Sequence, residues 1–154
     1  MLDLNNLGQY REGNRLEAKQ ALGGLPESLW ETYSAFANAQ GGIILLGVEE
    51  LEDGRFGALD LLDPQWLIED FWTILTDPRR VSVNLLQPGD VKVHLVEGKR
   101  IIAITVPPAK PEQRPVYVDG DPYRGSYVRR GEGDMRMSPE TVEMLLSGNH
   151  WEET

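Results

Sequence analysis

The chain contains no cysteine, so disulfide bonds, zinc–thiolate sites and cysteine nucleophiles are all excluded, and a reducing compartment is expected. Histidine is nearly as scarce. His94 and His150 do not form a ligand-spaced pair, which argues against an imidazole metal site. No apolar run approaches the roughly 18 residues a membrane span requires. The opening Met1-Leu2-Asp3-Leu4-Asn5 lacks the basic stretch and apolar run of a signal peptide, so the cytoplasm is the expected location. There is no Gly-x-x-x-x-Gly-Lys-Ser/Thr phosphate loop and no Gly-x-Ser-x-Gly nucleophile elbow.

Positive charge is also in short supply. Fifteen lysines and arginines face 25 acids across 154 residues, for a formal net charge of −10. Such a chain repels polyanions on average. The distribution is uneven, however. Between positions 110 and 136 six basic residues meet five acids, so this stretch nets +1 and the remainder carries −11. A phosphate-facing surface would lie in this stretch; otherwise its arginines are ordinary solvated charges.

The length suits one domain, residues 1–147, with a polar tail at 148–154. Residues 1–14 suggest a short helix or coil. Arg15-Leu16-Glu17-Ala18-Lys19 alternates as a half-buried strand, with Arg15, Glu17 and Lys19 on one face. A helix follows from Pro26 and ends at Gly41-Gly42. Ile43 to Val48 is a continuous apolar run, the pattern of a buried central strand, and Glu49 and Glu50 close it. A short edge strand is expected near Phe56. Asp63-Pro64 opens a second helix. Strands are expected at 81–85, at 91–95 and at 101–106, the last two joined by a tight Glu97-Gly98 turn. The four prolines between 107 and 115 mark an extended loop. Short strands are expected at Tyr117 and at 123–129, and Ser138 caps a last helix through Leu146. The fold class is therefore α+β: about six strands in a mixed, mostly antiparallel sheet, packed with about three helices.

Two constellations could carry chemistry. Glu12 and Glu17, with one of Glu49 and Glu50, would bring two or three carboxylates to one sheet end if their strands are neighbours. Hard oxygen ligands of this kind suit Mg²⁺ or Mn²⁺ and metal-assisted phosphodiester cleavage. Equally, they are ordinary strand-end charges, with Glu17 paired to Lys19 or an arginine. The second constellation is the segment Gly125-Ser126-Tyr127-Val128-Arg129-Arg130-Gly131, flanked by Arg124 and Arg136. Arginines grip phosphate through paired N–H groups, and tyrosines can stack on bases. The plainer reading is a Gly-rich edge hairpin whose tyrosines cover the core.

Leu16-Glu17-Ala18-Lys19, the block from Ser34-Ala35-Phe36-Ala37-Asn38 to Gly41-Gly42 and on to Gly47-Val48-Glu49-Glu50, and the late Gly125, Tyr127, Arg129, Gly131, Arg136 and Ser138 follow one another in a recognisable order. Together they resemble the Schlafen/AlbA-like domain over roughly residues 10–146. The departures are Ala18 where that family usually has Phe, and Glu49-Glu50 where paired Asp is commoner. The resemblance implies a nucleic-acid-binding, regulatory module of a bacterial transcriptional regulator, with DNA or RNA as partner and no required cofactor. Lys19, Arg124, Tyr127, Arg129, Arg130 and Arg136 are the expected contacts. It also implies an alternative, a divalent-metal ribonuclease using Glu12, Glu17 and Glu49. A third reading, from the charge and the missing catalytic motifs, is a protein-interaction or oligomerisation domain. Bacterial relatives often continue into further C-terminal domains, so a longer parent chain and a homo-oligomer are both expectations.

Overall fold

The computed structural model of the protein describes residues 2–148. His150 and the expected tail after Gly148 lie outside them. The centre of the fold is a four-stranded sheet in the order β1-β2-β6-β5. Its strands are β1 (Leu16–Lys19), β2 (Gly42–Leu46), β5 (Val91–Val96) and β6 (Lys99–Val106). β1 runs parallel to β2, with Glu17 opposite Ile44, and the other two pairings are antiparallel. The mixed, mostly antiparallel α+β class expected from the pattern is the one observed. The strands are divided differently from a single sheet of six. β3 (Val48–Glu50) pairs with β4 (Phe56–Ala58), and β7 (Tyr127–Arg130) pairs with β8 (Gly133–Arg136), as two separate ribbons.

Both faces of the sheet are covered. On one face Ile44, Leu46, Ile102 and Ile104 pack against Tyr33 and Phe36 of α1 (Ser28–Ala37) and Phe71 of α2 (Pro64–Leu75). On the other, Leu45, Ile101 and Ala103 meet Leu7 and Phe56. This explains the unbroken apolar run of β2: alternate side chains enter two different cores. α2 starts where expected, with the Asp63 carboxylate accepting from the Trp66 N–H. α4 (Pro139–Leu146) is likewise capped by Ser138. Between them, a single helical turn, α3 (Pro122–Gly125), leads into β7. Among the described residues no helix is long and apolar enough to cross a membrane.

Several expected strands are corrected: Tyr117 makes an isolated bridge to Ser126, and 123–125 belong to the α3 turn, so the strand begins at Tyr127. The run 43–48 is not continuous. Gly47 takes a left-handed φ of 80°, and a Cβ there would lie 2.6 Å from the Leu61 side chain. The chain therefore leaves the sheet at Gly47, and Glu49 and Glu50 belong to a different ribbon. Residues 81–85 form no ladder; Val81 makes one isolated bridge to Val118. The Tyr33 hydroxyl holds this segment instead, donating to the Val83 carbonyl and accepting from the Leu85 N–H.

The motif on α1 ties the helix to the later chain. Asn38 Nδ2 donates to the carbonyls of Val116 and Tyr127, and its Oδ1 accepts from the Val116 N–H. Ser34 Oγ donates to the Val116 carbonyl and accepts from the Tyr127 N–H. Backbone groups that would be orphaned in the interior are thereby satisfied. Asn38→Ala should lower stability by on the order of 3 kcal/mol, since it strands several buried groups at once. Urea unfolding is the check: the midpoint should fall with an unchanged slope.

Candidate nucleic-acid interface

β1 alternates, so Glu17 and Lys19 point to the face covered by α1. The β7–β8 ribbon folds over the same helix. Tyr127 and Arg129 on β7, and their partners Arg136 and Asp134 on β8, share the face turned toward α1. Arg130 alternates to the other face and is exposed. These two placements bring together a buried ionic cluster and, beside it, an open cleft.

Arg129 is the centre of the cluster. Its side chain is only 1% exposed. Nη1 reaches Glu17 Oε1 at 2.8 Å and Asp134 Oδ1 at 2.7 Å. Nε and Nη2 donate to the Gly13 carbonyl at 3.1 and 2.8 Å, and Nη2 also to the Leu16 carbonyl at 3.3 Å. The guanidinium lies 5.0 Å over the Phe36 ring. Burial works against its charge, but the hydrogen bonds it donates to Asp134 and Glu17 prevail and hold its pKa above the ordinary value. Arg129 was an expected phosphate contact. The structure corrects this: its donors are consumed inside the protein.

Glu17 also lies 3.9 Å from Lys19 Nζ, which donates to Ser28 Oγ at 3.0 Å. Thr32 Oγ1 donates to Asp134 Oδ2 at 2.6 Å. Glu12 accepts from the Ala18 N–H at 3.1 Å. Burial, followed by a hydrogen bond to Glu17, raises the Glu12 pKa from 4.5 to about 7. A hydrogen bond between two carboxyl groups needs a proton, and it is Glu12 whose hold on that proton is strengthened.

Glu49 does not join this pair. It sits in β3, opposite Gly57, beyond the break at Gly47. Among the described residues no three acids or histidines come together so as to hold a metal ion. Arg129 occupies the space between Glu17 and Asp134. The residues present therefore do not fit a three-carboxylate Mg²⁺ or Mn²⁺ site, and no cleavage step follows from them.

The adjoining cleft measures about 510 Å³. Trp30 and Tyr127 contribute aromatic wall, and Arg124 and Arg136 contribute charge. Of the six expected contacts, the cleft thus unites Arg124, Tyr127 and Arg136. Arg130 lies on the opposite face of the ribbon, and Lys19 sits in the cluster. Carboxylates share the lining: Glu27, Glu31, Asp119 and Asp121. Arg80 reaches Asp119 at 2.9 Å and Glu27 at 3.5 Å, and Arg124 lies 3.8 Å from Asp121. The Arg124 side chain is 85% exposed and Arg136 is exposed, so both can swing toward a ligand.

A family model described as Schlafen, AlbA_2 matches residues 12–138. This chain belongs to that family. The match runs from Glu12 to the Ser138 cap and so takes in the cluster, the cleft and α1. The chain is also similar to the solution structure of the N-terminal domain of a RecG-related protein from Nitrosomonas europaea, one named for an ATP-dependent DNA helicase. The two are 31% identical, with a TM-score of 0.62 over 87% of this chain and 90% of that domain. A second likeness, in fold alone, is to the DIP2311 protein of Corynebacterium diphtheriae. Identity there is 23%, the TM-score is 0.57, and 90% of this chain matches only 25% of that one. No curated protein matches.

Thr32, Asp134, Trp30 and Glu31 escaped the sequence reading. Asp134 was legible only as part of a charge count, and Thr32 only as one turn before Phe36 on α1. Within the Schlafen AlbA_2 fold, two results are expected. Arg129→Leu should cost about 3–5 kcal/mol, because it leaves Glu17 and Asp134 buried without their partner; a thermal melt within the scatter of the parent would contradict this. The second concerns pH. The folded state holds the Glu12 proton more tightly than the unfolded state, so stability falls as pH rises from about 4.5 to about 7. Glu12→Gln removes that decline and should overtake the parent above this window. Urea midpoints across the range report it, and parallel profiles would rule it out.

Proposed function

We propose that this chain is a nucleic-acid-binding module, with DNA as the principal partner, acting as a regulatory domain of a bacterial transcriptional regulator. Membership in the Schlafen AlbA_2 family supports a nucleic-acid role, as does the DNA-helicase name of the Nitrosomonas relative. The observation that carries the reading is the α1–ribbon cleft, where exposed Arg124 and Arg136 flank Tyr127. Guanidinium groups grip phosphate oxygens bidentately, and an aromatic wall accepts a base or sugar without demanding a sequence.

The four carboxylates on the lining limit the affinity. Arg80 and Arg124 answer three of them, so the remaining attraction for a polyanion comes mainly from Arg136 and from Arg124 once it leaves Asp121. Binding on this account is modest and sensitive to salt. No cofactor is called for.

Arg124→Ala/Arg136→Ala should weaken binding of a labelled duplex by about tenfold or more and lower the salt slope by about two. Both side chains are exposed, so the unfolding midpoint should not move. Fluorescence anisotropy at several salt concentrations measures both quantities. Unchanged affinity and slope would remove the cleft from the account, and a hairpin RNA run in parallel separates RNA from DNA.

A further inference from the structure

The turn after β1 and the start of α2 enclose an apolar pocket of about 430 Å³. Leu62 is 88% exposed there, Leu22 59% and Trp66 55%. These residues line one pocket with Leu61 and Leu67 rather than lying scattered. Local structure does not account for them. The buried stripe of α2 is Pro64, Leu67, Phe71 and Leu75, which leaves Trp66 off it. Leu62 stands just before the Asp63 cap, where an apolar residue usually folds down against the fourth helical residue, here Leu67. Its exposure shows that it turns outward instead. Exposed apolar side chains gathered around a pocket mark a contact surface.

The rim of this pocket is acidic. Asp60 and Asp63 line it, and Glu69 and Asp70 follow Trp66 by three and four residues, on the same side of α2. Arg100 pairs with Asp60 and lies within electrostatic reach of Asp63, which leaves Glu69 and Asp70 as the rim's excess negative charge. This field repels nucleic acid and anionic lipid. It also disfavours a second copy of the chain, which would bring another acidic rim and another net charge of −10.

We propose that the pocket is a docking site for a cationic, amphipathic segment of a partner protein. An apolar anchor enters between Leu22, Leu62 and Trp66, and flanking lysines or arginines meet Asp63, Glu69 and Asp70. The site is separate from the α1–ribbon cleft and does not depend on nucleic-acid binding.

The test is titration of the protein into a fluorescein-labelled synthetic helical peptide with leucines at i, i+4 and lysines elsewhere. Two matched peptides serve as controls, one with glutamate for each lysine and one with glutamine for each leucine. Saturable binding is expected for the first peptide alone, weakened about tenfold by Leu62→Ser and again by Trp66→Ser. Because Leu62 is so exposed, Leu62→Ser should melt with the parent. Equal affinity for parent and both variants would reduce the effect to general charge attraction and overturn the proposal. Absence of binding would overturn it too. So would parent dimers by sedimentation that Leu62→Ser dissociates, since the occupant would then be a second copy.

Discussion

A guanidinium ion withdrawn from water loses several kcal/mol of hydration, and it stays in a folded protein only where its donors are met. Arg129 is met by the carbonyls of Gly13 and Leu16, by the carboxylates of Glu17 and Asp134, and by the face of Phe36. These partners come from the approach to β1, from β1 itself, from α1 and from β8. One side chain therefore joins parts of the chain more than a hundred residues apart. The β7–β8 ribbon has no larger sheet to hold it, and this ion fixes its angle against α1.

That constraint shapes the candidate interface. With Arg129 and Asp134 turned inward, the next pair on the same face, Tyr127 and Arg136, is set at the mouth of the cleft. Ser34 and Asn38 secure the same strand through its backbone, so the cleft has a rigid floor on two independent sets of hydrogen bonds. Glu12, hydrogen-bonded to Glu17, adds a proton-dependent element at the edge of the cluster. The apolar pocket beside α2, with Asp60 and Asp63 on its lining, lies outside this framework.

Much of this organisation was legible in the sequence. Asp63-Pro64 and Ser138-Pro139 announced helix starts through capping chemistry, and Glu97-Gly98 announced a hairpin through its turn. The block from Ser34 to Glu50 carried the family resemblance. What escaped has physical causes. Gly47 reads as one more small residue in an apolar run until Leu61 is seen to occupy the place of its side chain. Residues 81–85 alternate like a strand, yet their backbone is met piecemeal, by the Asp77 and Tyr117 carbonyls at Val81 and Ser82 and by the Tyr33 hydroxyl at Val83 and Leu85. Arg129, Arg130 and Arg136 are alike as letters. Only the pairing of β7 with β8 sends the first inside, the second to the far face and the third to the cleft. Beyond the same break at Gly47, Glu49 pairs opposite Gly57 and builds no metal-holding group with Glu12 and Glu17 among the described residues, which acid spacing alone could not reveal.

The central claim is that the buried Arg129 cluster supports the ribbon while nucleic acid meets only the cleft beside it. Backbone amide shifts of the isotope-labelled protein, followed during titration with a short DNA oligonucleotide, test this directly. Perturbations should centre on Arg124, Tyr127 and Arg136 and leave Leu22, Leu62 and Trp66 unmoved. Perturbations centred instead on Glu12 and Glu17, with Arg124 and Arg136 silent, would contradict the account and make the carboxyl pair the contact surface.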